Sequence, residues 1–200
     1  MNPRKDRIWF TTIVAVAIVV WVVAAVYAQR TTPVPDPIGE RIERGRYLVS
    51  IMLCNDCHTP MKEGPEGPVP DMSRMLSGHP EGLSMPAPPA LGAGPWVWVG
   101  SGTNTAFAGP WGVTYSPNLT PETDTGLGAW TEEIFVNALR TGKHWGQSRP
   151  IQPPMPWPWI RHLTDDDIRA VYAYLRSIPP IRNRVPDYQA PEEPELAGTE

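Results

Sequence analysis

Residues 8–28 form a largely apolar run that carries no charge. About 20 apolar residues are enough to cross a bilayer as a helix. Trp9 and Tyr27 stand near the two ends of this run, where aromatic rings favour the membrane interface. Arg4, Lys5 and Arg7 precede it, and a cationic flank is retained on the cytoplasmic side. The pattern therefore predicts an N-terminal transmembrane helix within residues 1–28. The protein would be single-pass in the inner membrane, with a cytoplasmic N-terminus and the remainder periplasmic. A cleaved signal peptide is the rival reading, with Val26-Tyr27-Ala28 before the cut, but the apolar core of such a peptide usually runs about 7–15 residues.

Past this run the apolar positions fall into helical spacing three times. In "DPIGERIERGRYLVSIMLCNDCH", Ile38, Ile42, Gly45, Val49 and Met52 recur at steps of four and three, one face of a helix. Asp36 suits the N-cap, Pro37 the first helical position and Glu40 the positive helix end. Gly45 lies on that face, and a missing side chain there lets another helix come close. "WTEEIFVNALRTG" reads as a second helix, capped by Thr131 and stopped by Gly142. "LTDDDIRAVYAYLRSIPP" reads as a third, capped by Thr164 and ended by Pro179, with Ile168, Val171, Tyr172, Leu175 and Ile178 inward.

The remaining segments are rich in breakers: the chain holds 26 prolines and 17 glycines, which predicts long irregular loops. Residues 29–37 form a Pro-rich linker, 38–182 a helical domain interrupted by a Pro/Gly insert over about 61–112, and 183–200 an acidic Pro-rich tail expected to lack order. Within the insert, "PWVWVGSGTNTAFAGPWGV" has room for a short hairpin. The insert is also a candidate docking surface. The fold class expected is all-α, with one transmembrane helix in front. Formal charge is −4, and no basic patch points to nucleic acid.

Chemistry concentrates in "IMLCNDCHTP", which holds both cysteines of the chain. A disulfide across two residues closes too small a loop to constrain the unfolded chain much. A thioredoxin-type Cys-x-x-Cys wants a strand before it and a helix after it. Zinc would need further thiolates, which do not exist here. Cys54-x-x-Cys57-His58 is instead the attachment signature for c-type haem. Its thiols form thioethers to the porphyrin, and His58 is placed to ligate the iron. The opposite iron face decides between electron transfer, where Met or His closes it, and ligand chemistry, where it stays open. Candidates are Met61, Met72, Met75, Met85, Met155, His79, His144 and His162. Met155 is favoured, because the rigid "PPMP" stretch can hold a thioether in place. His144, in the same loop between the second and third helices, is second.

The order helix, Cys-x-x-Cys-His, insert, helix, loop methionine, helix resembles the class I cytochromes c. "SPNLTPETDTGLGAWTEEIFVNALRTGKH" and "PPMPWPWIRHLTDDDIRAVYAYLRSIPP" are similar to the haem domains of cytochrome c subunits that serve membrane-bound periplasmic dehydrogenases. The resemblance spans about residues 38–182. It implies a cytochrome c fold with one covalent haem c at Cys54 and Cys57, His58 and Met155 on the iron, and Asn118, Leu119, Trp130 and Arg140 near the haem. Those subunits often carry three such domains, and this chain has one. The expectation is an electron carrier, or a subunit of a larger oxidoreductase complex, rather than an enzyme in its own right. It would be tethered to the membrane and pass electrons between redox protein partners, with no free small-molecule substrate. A haem-based ligand sensor, a peroxidase relying on His144, and a purely structural haem subunit are the alternatives.

Overall fold

The computed structural model describes residues 16–24, 36–91 and 94–191. The chain divides into two compact units, residues 1–37 and 38–200. In the first, the described residues are a helix over 16–24 (α1) and the two residues 36–37 at the start of the next helix. Among the described residues no helix is long and apolar enough to cross a membrane. This corrects the expected transmembrane helix and with it the single-pass inner-membrane placement. The rest of the apolar run, residues 8–15 and 25–28, lies outside the described residues, as does most of the 29–37 linker.

The second unit is built on the three expected helices. α2 is Pro37–Ile51, α4 is Glu132–Thr141 and α6 is Asp165–Ser177. Two short helices, α3 (Cys54–His58) and α5 (Trp157–Ile160), lie between them in the chain. Thr131 accepts from Ile134 N, Thr164 accepts from Asp167 N, and Gly142 takes the left-handed conformation that ends α4. The first helix differs from its prediction. It breaks at Leu53, where a left-handed residue (φ 58°, ψ 33°) starts the separate turn of α3. Its inward face is Gly45, Leu48 and Val49, while Ile38 is 71 % exposed. The apolar stripe thus covers only the C-terminal half, where other helices pack.

Gly45 is the reason α2 and α6 pack so closely. A Cβ there would come 1.9 Å from the carbonyl oxygen of Ala170 on α6, so only glycine fits. Around that crossing, Leu48, Val49, Leu76, Leu127, Phe135, Val136, Leu139, Ile168, Ala170, Val171, Leu175 and Ile178 form one buried core. Arg44 pairs with Asp167 at 2.9 Å, and Glu132 receives both Arg41 and Arg169, tying α2, α4 and α6 at the rim.

The all-α expectation fails in the insert. Met61–Gly64 (β1) pairs antiparallel with Gly67–Pro70 (β2). Val99–Gly100 (β3), Ala106–Gly109 (β4) and Gly112–Tyr115 (β5) form a three-stranded antiparallel sheet. Both tight hairpins turn on the same four-residue pattern, Gly64-Pro65-Glu66-Gly67 and Gly109-Pro110-Trp111-Gly112. Proline suits the second position of a type I turn and glycine the fourth. The short hairpin expected within residues 95–113 is present as β3 and β4; β1 and β2 fall where composition predicts irregular loop.

The described part of the tail, residues 183–191, packs on the rest of this unit, against the expectation that it lacks order. Asn183 is 1 % exposed. Its side chain donates to Ser77 O and His79 O and accepts from Glu81 N and Arg74. Gln189 exchanges backbone bonds with Val113, and Tyr188 donates to Trp111 O. The segment after α6 is therefore a strap that fastens the insert to the helical core.

Gly45→Ala tests the packing. Alanine is the better helix former by about 1 kcal/mol, yet overpacking costs about 1–3 kcal/mol. Thermal denaturation should show a net lower midpoint; a higher one would mean the α2–α6 contact is looser than described.

Candidate functional site

α3 carries the Cys-x-x-Cys-His pentapeptide in a single turn, so spacing alone puts Cys54, Cys57 and His58 on adjoining positions. Cys54 packs against the core, and both cysteines are free thiols, partly buried. Burial pushes the Cys54 thiol up to about 11. Burial, helped by the charge of Asp56, also raises that of Cys57. A redox-active Cys-x-x-Cys depends on a lowered thiol pKa, so the electrostatics run against that use. Among the described residues no cluster of three His, Cys, Asp or Glu could hold a metal ion.

His58 is 6 % exposed. Its Nδ1 lies 2.9 Å from Pro117 O. A carbonyl only accepts, so Nδ1 carries the proton and Nε2 keeps its lone pair. Burial holds the ring neutral by lowering its pKa, with the Pro117 bond a smaller opposing influence. A buried, neutral, oriented imidazole is the state that binds a transition metal.

The wall beside this turn is the segment 71–79. Asp71 N donates to Pro60 O, Gly78 N donates to His58 O at 2.8 Å, and Leu76 N donates to the Thr59 hydroxyl at 2.8 Å. Leu119 N in turn donates to Leu76 O. Gly78 is held at φ 79°, and a Cβ on it would meet Ser116 O at 2.4 Å. His79 is buried next to Tyr115, with Nδ1 at Thr105 Oγ1 and Nε2 at Leu83 O, so both its nitrogens are engaged.

Among the described residues, three methionines touch the core: Met52, Met75 and Met155. Met155 follows the loop 142–154, and Trp130 packs on the same core. The Trp130 ring sits 5.3 Å from the His144 ring and 5.0 Å from the Trp145 ring, and its carbonyl receives the Tyr172 hydroxyl at 2.7 Å. His144 is partly buried, and burial with the nearby Arg149 lowers its pKa. His162 is exposed, as is Met72.

Cys54, Leu119, Trp130 and Met155 thus share one core. Asn118 and Arg140 have other partners. The Asn118 amide donates to Ile181 O and Thr125 and accepts from Thr120, bracing the strap. Arg140 donates to Arg161 O and pairs with Asp165, fixing the loop before α6 to α4. Sequence reasoning missed Pro117, whose contribution is a backbone carbonyl and leaves no residue-type signal. It also missed the wall at 71–79.

The family model for cytochrome c matches residues 42–179. Among characterised proteins, the chain is 29 % identical over 153 residues to the cytochrome c subunit of an alcohol dehydrogenase (quinone) from Gluconobacter oxydans, covering 75 % of this chain and 24 % of that protein. It is 29 % identical over 168 residues to a fructose dehydrogenase cytochrome subunit from Gluconobacter japonicus, covering 83 % and 27 %. It is 27 % identical over 199 residues to a nicotinate dehydrogenase subunit from Pseudomonas putida, covering 94 % and 14 %. The chain spans roughly a quarter or less of the length of these relatives.

The thiol environment gives a measurable expectation. Before any group is attached, burial favours the neutral thiol, so Cys54 thiolate appears only as pH approaches about 11. Its alkylation rate should keep rising with pH beyond the ordinary thiol value of 9.0. A plateau near neutral pH would instead mark an activated redox thiol.

Proposed function

The chain belongs to the cytochrome c family, and from that premise we propose that it is a monohaem electron-transfer unit. It would hold one haem c through thioethers at Cys54 and Cys57, with His58 and Met155 on the iron, in a domain covering about residues 38–182. The observation that carries this reading is His58: it directly follows the two thiols, is buried, and is held by Pro117 O in the tautomer that leaves Nε2 free to bind. The donor set fits the group, because the Cys54 thiol and the Met155 thioether border one apolar core, and Cys57 and the oriented His58 imidazole lie on the same short turn as Cys54. Haem, when bound, supplies a one-electron couple at its iron.

The residues have separable roles. Cys54 and Cys57 fix the cofactor to α3. Pro117 sets the His58 ring, and an oriented, hydrogen-bonded imidazole is the more basic ligand. Leu76, Leu119 and Trp130 supply apolar surface that keeps water from the site, which together with thioether ligation raises the reduction potential. Met155 is preferred over Met52 and Met75 because its loop lies between α4 and α6, with Trp130 on the same core. Met52 and Met75 instead lie close in sequence or hydrogen bonding to α3.

A protein serving this way needs a donor and an acceptor. The relatives are named as subunits of alcohol, fructose and nicotinate dehydrogenases. We therefore assign the chain a dehydrogenase catalytic unit as electron donor and no substrate chemistry of its own.

Attachment is tested by haem staining after denaturing electrophoresis. The wild type should stain, and Cys54→Ala with Cys57→Ala should not; staining that survives the double change would refute thioether attachment. The sixth ligand is tested by the weak sulfur-to-iron charge-transfer band of the oxidised protein. It should vanish in Met155→Ala and persist in Met52→Ala and Met75→Ala. Loss in one of the latter two, with persistence in Met155→Ala, would transfer the role.

A further inference from the structure

The wall segment contains two buried polar groups whose partners the protein does not supply. Arg74 Nε and Ser77 Oγ are both buried from solvent and without a hydrogen bond among the described residues. They belong to one turn, closed by Ser77 N donating to Arg74 O at 3.1 Å. The one side-chain bond of the Arg74 guanidinium is to a neutral acceptor, Asn183 Oδ1, at 2.7 Å. Among the described residues it forms no ion pair, whereas Arg41, Arg44, Arg46, Lys62, Arg140 and Arg169 each pair with a carboxylate.

Leaving a buried donor unsatisfied costs about 1–3 kcal/mol, and more for a charged group. Such a cost is sustained when a ligand repays it. The same turn is hydrogen-bonded to the Cys-x-x-Cys-His segment through Leu76, Gly78 and Asp71, and Met75 and Leu76 join Cys54 and Met155 at the core. The orphaned donors therefore lie one short turn from the residues assigned to the cofactor. Guanidinium is the side chain best matched to a carboxylate, through charge and paired N–H donors.

We propose that Arg74, assisted by the Ser77 hydroxyl, is an anion subsite that receives a propionate carboxylate of the haem and sets its potential. This rests on the haem reading above. Arg74 acts as a positioning and tuning residue and does not touch the iron. Its positive charge disfavours the oxidised, more positive state, so it raises the reduction potential. Asn183 Oδ1 accepts from the guanidinium and so ties Arg74 to the C-terminal strap.

The test is the midpoint potential of purified holoprotein, with covalent haem first verified by in-gel staining. Arg74→Gln should favour the oxidised form about tenfold at fixed ambient potential, which is about 59 mV for a one-electron couple. Arg74→Lys should keep most of the wild-type value, since charge survives. Ser77→Ala should shift it less, in the same direction. Asn183→Ala is the structural control: it should lower thermal stability while leaving the potential near wild type. An unmoved potential in Arg74→Gln, or an equal shift in Asn183→Ala, would overturn the subsite and reduce Arg74 to a brace for the strap. If Arg74→Gln does not accumulate as holoprotein, Ser77→Ala is read in its place, and no shift there overturns the proposal. Absence of covalent haem in the wild type would instead refute the underlying assignment.

Discussion

A buried imidazole can offer one nitrogen to a metal only if the other is satisfied, and the bond from His58 Nδ1 to Pro117 O meets that condition. Around it the chain must deliver a carbonyl from residue 117 to a ring at residue 58. That long-range requirement explains the wall between them. Gly78 N reaches back to His58 O, His79 N reaches forward to Ser116 O, and Leu119 N closes onto Leu76 O. The segment 76–79 is thus stitched on one side to α3 and on the other to the stretch carrying Pro117. Glycine at 78 is dictated by the close approach of that backbone, because any side chain would strike Ser116 and Pro117.

The helices supply the second half of the arrangement. α2 presents the Cys-x-x-Cys-His turn, and its position is set by the Gly45 contact with Ala170. α6 then holds Trp130 by the Tyr172 hydroxyl, and its Arg176 donates to the carbonyls of Leu127 and Gly128. The loop 127–130 is therefore positioned by α6 while lying over the core that Cys54 and Met155 share. The surface ion pairs contribute little to stability individually. They orient the helix ends around a site whose energetics come from burial.

Much of this was legible in local patterns. Thr131, Thr164 and Gly142 announce helix ends through short-range chemistry, and each cap forms as the residue types dictate. Gly45 on an apolar face foretold a close crossing, though not that Ala170 would be the partner. Ile38 misled because periodicity cannot say how far along a helix its neighbours extend. The insert was legible in part: the hairpin expected within residues 95–113 is there, but proline and glycine content masked two Gly-Pro-x-Gly turns, and with them the β1–β2 pair and the extension to β5. The strap was misread because an acidic, Pro-rich composition outweighed Asn183, whose burial depends on contacts more than 100 residues distant in sequence. Asn118 and Arg140 were associated with the haem by resemblance, and the structure shows their polar groups bonded to the strap and to the loop before α6.

On the proposed assignment His58 and Met155 would both hold the iron, which would make the protein a carrier and not a ligand sensor or a peroxidase. Titration of the chemically reduced wild-type protein with carbon monoxide reads this directly. A site closed by a histidine and a thioether should leave the absorption spectrum unchanged at carbon monoxide concentrations that saturate open five-coordinate haem proteins. Ready conversion to the carbon monoxide complex would show an open or labile sixth position and contradict the electron-carrier account.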